Sequence, residues 1–199
     1  MSALPSGTIT FLFTDIEGST RLWEQQPDAM REALAAHHAV LRQAISANHG
    51  HVFNVAGDSF AAAFATATDA LAAAIDAQRA LQEQTADGDE QSAINYRPSI
   101  INHQNSAVRG PQSAVNLRVR MGLHSGSAEV DGDDYRSGPT LNRAARIMAA
   151  AQGGQILLSS ATNELVRVQP LPGVSLHDLG RRELKGLAEP VSLCQAVAL

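Results

Sequence analysis

The chain has 199 residues, 44% of them hydrophobic, with a formal net charge of −5 and a pI of about 5.8. This length predicts one domain with a sizeable core, and the acidic balance without any basic block excludes nucleic acid and anionic membrane as the principal partner. The single cysteine, Cys194, excludes an internal disulfide framework; without a signal-peptide pattern or a long apolar run, we expect a soluble cytoplasmic protein.

The first predicted element is a buried strand over Ile9–Phe13, an apolar run rich in β-formers. Asp15 lies where this strand leaves the core, which alone is compatible with an ordinary turn residue. Gly18, Ser19 and Thr20 follow, and we expect the glycine to form a tight turn and a hydroxyl to cap the next helix. A strand, a carboxylate at its end and a helix N-terminus predict a site for a polyphosphate and a divalent cation.

Helical spacing of apolar residues continues to about residue 48, with an interruption at Pro27. Two short strands, His51–Val55 and Ser59–Phe64, then flank a tight turn that contains Asp58. If this hairpin lies beside the first strand, Asp58 and Asp15 share a cation. Two carboxylates, a main-chain carbonyl and phosphate oxygens form a ligand set suited to magnesium.

A second helix is predicted over Asp69–Gln84, followed by a polar, aperiodic stretch at 85–116 that we interpret as a surface insertion. Residues 117–124 alternate apolar and polar and predict a strand, which residues 128–130 extend. We predict a structural rather than a catalytic role for His124 at its end.

An acidic loop over residues 131–140 precedes a helix predicted from Thr140 to Ala151. Asn142 and Arg146 are four residues apart and therefore project from one face of this helix. Such a pair is either an exposed polar face or a pair of ligands for a ribose and a triphosphate, since a guanidinium suits a phosphoryl group that gains charge.

The remaining elements are a strand over Gln155–Leu158, a short helix capped by Ser160, and two closing strands over Val174–Leu176 and Val191–Val197. Residues 180–187 form a basic turn that carries Lys185, the only lysine in the chain. This succession predicts an α+β domain with helices on one face of a largely antiparallel sheet.

Three ordered motifs resemble the class III adenylate/guanylate cyclase catalytic domain of bacterial type. They are Phe-Thr-Asp-Ile-Glu-Gly-Ser-Thr at 13–20, Gly-Asp at 57–58, and Gly-Pro-Thr-Leu-Asn-Arg-Ala-Ala-Arg at 138–146. The resemblance covers about residues 7–197 apart from the insertion. It implies a single catalytic domain over 1–199 with a ferredoxin-like, palm-type antiparallel sheet and helices packed on it.

The resemblance also implies an activity: conversion of ATP to 3′,5′-cyclic AMP and pyrophosphate with two Mg²⁺ or Mn²⁺ ions per site. It implies a head-to-tail homodimer in which the aspartates of one chain meet the asparagine and arginine of the other. The implied roles are metal binding by Asp15, Asp58 and the carbonyl of Ile16, ribose orientation by Asn142, charge stabilisation at the α-phosphate by Arg146, and triphosphate binding by Lys185.

The chain departs from the family at the purine contacts. Adenine-selective members usually carry a lysine four residues before the second metal aspartate, where this chain has Asn54. The usual aspartate partner aligns with Tyr135, and Asp134 lies one residue earlier. Because an amide both donates and accepts hydrogen bonds, Asn54 suits either purine, and GTP stays open as the substrate.

Two other hypotheses stay open at this point. One is a cyclase-like regulatory module that binds nucleotide or only dimerises, and regulatory domains are its expected partners if the chain is part of a longer protein. The other is a diguanylate-forming polymerase-like domain, because residues 56–60 loosely match its signature. The intact set Asp15, Asp58, Asn142 and Arg146 opposes the first hypothesis, and the helix of Asn142 and Arg146 opposes the second.

Overall fold

The computed structural model describes residues 4–86, 115–132 and 134–198. The strands of this part of the chain are β1 (Thr8–Ile16), β2 (His51–Ala56), β3 (Ser59–Phe64), β4 (Val119–Ser127), β5 (Val130–Asp131), β6 (Asp134–Tyr135), β7 (Ile156–Ser159), β8 (Val174–Arg182) and β9 (Val191–Ala198). The helices are α1 (Ser19–Gln25), α2 (Pro27–Ala47), α3 (Ala67–Ala86), α4 (Pro139–Ala150) and α5 (Ser160–Val168).

Seven of the strands form one sheet in the order β2-β3-β1-β4-β7-β9-β8. Every neighbouring pair is antiparallel except β4 and β7, which are parallel. The predicted α+β class with a largely antiparallel sheet is therefore confirmed. No helix in the described residues is both long and apolar enough to cross a membrane.

The first strand is central because both of its faces are apolar. Ile9 and Phe11 are fully buried on one face, and Leu12 and Ile16 are buried on the other. Side chains alternate between the faces of a strand, so such a sequence is stable only between two covering layers. The predicted buried strand at this position is confirmed.

Helices cover both faces of the sheet, which corrects the expectation that they lie on one face. Helices α2, α3 and α5 share a core with Leu12 and Leu158, whereas α4 packs against Phe11 and Leu157. Those strand residues are sequence neighbours and therefore point to opposite faces. The sequence shows which residues of α4 are apolar but not which face of the sheet they contact.

Helix α4 approaches the sheet most closely over Gly122 of β4. A Cβ atom at this position would lie 2.2 Å from the backbone nitrogen of Met148. The absence of a side chain therefore sets how close α4 lies to the strand, and with it the height of the α4 side chains above the sheet.

Several local expectations differ from the structure. Gly18, with a φ of 71°, is the N-cap of α1 and makes no side-chain cap bond, so neither Ser19 nor Thr20 caps the helix. Helix α5 is capped by Ser159 rather than Ser160, because the Ser159 hydroxyl accepts from the N–H of Thr162.

The boundaries of some strands also differ from the predicted ones. Strands β5 and β6 form a separate two-stranded ribbon, so residues 128–130 do not extend the main sheet. Strand β8 continues to Arg182 and includes part of the predicted basic turn. The predicted insertion at 85–116 lies outside the described residues except at its two ends.

Candidate active site

The carboxylates of Asp15 and Asp58 come together at the end of β1 through two reciprocal hydrogen bonds. The N–H of Ile16 donates to Oδ2 of Asp58 over 3.1 Å. The hydroxyl of Ser59 donates to Oδ1 of Asp15 over 2.8 Å. Each aspartate is thus bonded to the chain neighbour of the other, although 42 residues separate Ile16 from Asp58.

Arg120 of β4 contacts one carboxylate of this pair, that of Asp15. It lies opposite Asp15 in the register of β1 with β4. Its Nε donates to Oδ2 of Asp15 over 3.0 Å, and its Nη2 donates to the same oxygen. The sequence predicted a strand here but gave Arg120 no role, because cross-strand register is not encoded in residue spacing.

This donor set fits a divalent cation. Two carboxylates are held at the same strand end, and a guanidinium already pairs with one of them, so this strand end attracts positive charge. Among the described residues no group of three His, Cys, Asp or Glu side chains converges. A cation held by Asp15 and Asp58 would therefore complete its coordination with the main-chain oxygen of Ile16, water and phosphate oxygens, as magnesium commonly does.

The hairpin turn that carries Asp58 is tied to α2. Nε2 of His38 lies 2.9 Å from the carbonyl oxygen of Gly57, which has a φ of 62°. The adjacent His37 is fully buried and its ring packs edge to face on Phe60. Among the described residues, neither of its ring nitrogens has a hydrogen-bond partner. Burial, with a smaller contribution from His38, lowers the pKa of His37 to about 4 against an opposing effect of Asp15.

A cleft of about 680 Å³ lies between α4 and strands β1, β2 and β3, on the face of the sheet that Phe13 occupies. Four residues singled out from the sequence are among those that line it: Asn54, Asp134, Tyr135 and Asn142. Half-buried apolar side chains, including Phe13, Phe53 and Leu187, complete the wall. Neither Asp15 nor Asp58 is among the lining residues.

Two of the purine candidates differ in how available their polar atoms are. Asp134 is exposed, although its Oδ1 accepts from the N–H of Tyr135. Tyr135 is buried, its hydroxyl donates to the carbonyl of Pro5 over 2.8 Å, and burial raises its pKa to about 12. Its ring packs edge to face on Phe11 and Phe53, so Tyr135 offers the cleft an aromatic wall.

Arg146 lies on α4 beside the loop that carries Lys185. Its guanidinium faces Gly186, where a Cβ would lie 3.3 Å from the guanidinium carbon. Its Nε is buried and has no hydrogen-bond partner in the part of the chain that the structure describes. Lys185 is exposed on the same loop. The structure thus brings the loop of Lys185 to the guanidinium of Arg146.

His124, predicted as structural, belongs to a buried polar network. Its Nδ1 lies 2.8 Å from the hydroxyl of Ser159. The hydroxyl of Thr162 contacts that of Ser159 and accepts a hydrogen bond from the hydroxyl of Ser125. Burial, and to a lesser extent Arg143, lowers the pKa of His124 to about 4. The network joins β4 to the cap of α5. Cys194 is buried in β9, as expected for a core residue.

Comparison with known proteins places these features in a family. Residues 1–194 match the sequence profile of the adenylate and guanylate cyclase catalytic domain. An uncharacterized protein of Mycobacterium tuberculosis is 38% identical over 189 residues, which are 94% of this chain and 54% of that protein. A receptor-type adenylate cyclase of Trypanosoma brucei brucei is 32% identical over 98% of this chain and 17% of its own length. The chain thus spans about half, or less, of these relatives.

Solved structures agree. An adenylate cyclase structure from Trypanosoma brucei, described in its monomeric state, superposes with a TM-score of 0.72 at 30% identity and covers 96% of this chain and 90% of that one. The adenylyl cyclase CyaB of P. aeruginosa gives a TM-score of 0.71 at 22% identity over 96% and 94% of the two chains, a likeness of fold alone.

Proposed function

The chain belongs to the adenylate and guanylate cyclase catalytic domain family, and from that membership we propose that it converts ATP to 3′,5′-cyclic AMP and pyrophosphate. The observation that carries the proposal is the reciprocal bonding of Asp15 and Asp58 at the end of β1. When bound there, two Mg²⁺ or Mn²⁺ ions would neutralise phosphate charge and make the ribose 3′-hydroxyl more acidic.

The remaining side chains have roles that their surroundings support. Arg146 would stabilise the charge that develops at the α-phosphate, because a guanidinium suits such charge and this one is only half-buried beside the loop of Lys185. Asn142, exposed on the cleft wall, would orient the ribose. Lys185 would bind the triphosphate from the neighbouring loop.

The start of α1 supplies further donors for phosphate. The first N–H groups of a helix have no partner within it, and Gly18, Ser19 and Thr20 directly follow the metal-binding segment. We therefore place these three residues against the phosphate oxygens, as the motif implies.

A complete site requires two copies of the chain. The cleft contains Asn54, Asp134 and Asn142, whereas the carboxylate pair lies outside its lining. In the proposed homodimer, the aspartates of one protomer face the cleft of the other across a symmetric contact. Such a dimer carries two equivalent sites.

Guanylate cyclisation is the second candidate, and Asn54 is the observation that favours it. The exposed amide lines the cleft where adenine-selective members carry a lysine. An amide can pair with either purine edge. Asp134 remains the acidic partner, since the Tyr135 hydroxyl is engaged by Pro5.

The test is cyclic nucleotide formation by purified protein with ATP or GTP and Mn²⁺. We expect cyclic AMP to form, with a specific activity that rises with protein concentration because the sites form on dimerisation. Asp58→Ala should abolish the product. Equal product from this variant would remove the metal assignment. Nucleotide binding without product at any concentration would favour the regulatory module instead.

A further inference from the structure

The ion pair between Arg120 and Asp15 is the least exposed in the described part of the chain. The side chains of Arg120 and Asp15 are 29% and 17% exposed. By contrast, the neighbouring pair of Arg118 with Glu17 spans 3.6 Å and is 61% and 40% exposed. A charge-assisted pair with two donors and partial burial is stronger than an exposed single contact.

Both oxygens of Asp15 already accept hydrogen bonds, one from this ion pair and the other from Ser59. Both guanidinium donors meet Oδ2, and the Ser59 hydroxyl occupies Oδ1. A divalent cation that binds Asp15 needs one of these oxygens. It would also lie close to a guanidinium of the same charge sign, and the repulsion is strong at a partly buried site.

We propose that Arg120 is an internal counter-cation of the metal site, which holds Asp15 in the metal-free chain and must release it before a divalent cation binds. This inference rests on the proposed metal site. The free chain consequently binds free divalent cation weakly. Nucleotide strengthens that binding, because the negative charge of the triphosphate offsets the repulsion from Arg120. By reciprocity, the cation strengthens nucleotide binding by the same factor.

The experiment measures Mn²⁺ binding to the full chain without nucleotide, from the electron paramagnetic resonance signal of the free ion. We expect Arg120→Gln to bind Mn²⁺ about tenfold more tightly than the unmodified chain. Arg120→Lys should fall between them, because an ammonium keeps the charge but cannot make the two-donor contact. Arg118→Gln is the matched control, because Arg118 lies two residues before Arg120 and pairs with Glu17 instead of Asp15. This variant should leave the affinity unchanged.

Thermal melting distinguishes competition between Arg120 and the cation for Asp15 from a general loss of stability. Arg120→Gln should melt at a lower temperature than the unmodified chain without metal, since Asp15 loses its partner. Saturating Mn²⁺ should raise its melting temperature by more than it raises that of the unmodified chain. If Arg120→Gln fails to fold, Arg120→Lys replaces it. We then expect Mn²⁺ affinity and the rise in melting temperature with Mn²⁺ to change in the same direction, by smaller amounts.

The outcomes distinguish this inference from the proposed function. If Arg120→Gln and the unmodified chain bind Mn²⁺ equally, while Asp58→Asn weakens binding in both, Arg120 is not a counter-cation and the metal site stands. If Asp58→Asn has no effect on Mn²⁺ binding in either background, the metal site itself is wrong. A nucleotide analogue should enhance Mn²⁺ binding less in Arg120→Gln than in the unmodified chain, and equal enhancement would overturn the inference.

Discussion

His37 is the most completely enclosed of the titratable side chains near the carboxylate pair. It packs against Phe60 and lies next to His38, and no described residue forms a hydrogen bond with either of its nitrogens. A neutral imidazole is tolerated in such a place, whereas an imidazolium is not. The side chain therefore couples the stability of the fold to pH.

We predict that stability falls as the pH drops from about 6.5 to about 4. The pKa values of His37 and His124 are lowered to about 4 in the folded chain, so in this range only the unfolded chain binds protons at these two residues. Unfolding free energy then decreases with falling pH by on the order of 1 kcal/mol per pH unit for each histidine. Urea titrations between pH 4 and 7 measure this change in the free energy of unfolding.

The control for this pH dependence is His37→Leu, which removes one titrating group and retains an apolar side chain. We expect a shallower pH dependence of the unfolding free energy in that interval, whatever the variant's stability at neutral pH. An unchanged slope would show that His37 is already protonated in the folded chain or does not titrate in the unfolded one.

Asn54 is a position where one residue should control the choice of purine. We predict that Asn54→Lys raises the ratio of kcat/KM for ATP to that for GTP by about tenfold. An ammonium donates to the unprotonated N1 of adenine, while the N1 of guanine carries a hydrogen. Gln43→Lys adds the same charge at an exposed position on α2, and an equal shift in that variant would make the effect one of net charge.

The sequence predicted several of these residues and missed one for a physical reason. The positions of Asp15, Asp58, Asn142 and Arg146 follow from short local motifs. Arg120 could not be identified in this way, because its contact with Asp15 depends on the register of two strands more than 100 residues apart in the chain. The unbonded state of the Arg146 Nε likewise depends on the loop at Gly186.

At the scale of elements, the contact between α4 and β4 positions half of the candidate site. The helix carries Asn142 and Arg146, and its backbone rests on Gly122. A close helix–strand contact of this kind tolerates no added carbon, because the neighbour is backbone rather than a side chain that can rotate.

We predict that Gly122→Ala lowers the free energy of unfolding by about 2–3 kcal/mol through overpacking. It should also reduce product formation, because α4 moves away from the sheet. Gly138→Ala, at the start of the same helix, is the control: its backbone is extended and an added Cβ meets nothing closer than 3.8 Å. Equal destabilisation by the two substitutions, measured by urea unfolding, would contradict this account.

Elements were easier to predict than their surroundings. Apolar runs predict the strands of the main sheet, and helical spacing of apolar residues predicts the helices that cover it, because burial determines both patterns. The caps of α1 and α5 were each misplaced by one residue or more, since the cap depends on backbone conformation at Gly18 and Ser159. The face covered by α4 depends on packing that no single segment encodes.

At the scale of the whole molecule, the candidate residues divide between two regions of one chain. The carboxylates of Asp15 and Asp58 lie at the end of β1, and Asn142 lies in the cleft under α4. If a site combines one region from each protomer, a defect in one region can be compensated by a partner that keeps that region intact.

We therefore predict that Asp58→Ala and Asn142→Ala, each inactive alone, regain activity when mixed. With random reassortment, half of the dimers are mixed and each has one intact site of two, so about a quarter of the unmodified activity should return. A mixture of Asp15→Ala with Asp58→Ala, both in the carboxylate region, should stay inactive. Recovery in that control, or none in the first mixture, would contradict shared sites.

The central place of β1 also bears on how the chain folds while it is being synthesised. One neighbour, β3, is complete at Phe64, but the other, β4, begins only at Val119. Until the ribosome has produced β4, one edge of the apolar Ile9–Phe13 run has no partner strand. An unpaired apolar edge is a template for aggregation. Nascent chains that stop short of β4 should therefore depend on chaperones, and this dependence should end once β4 has emerged.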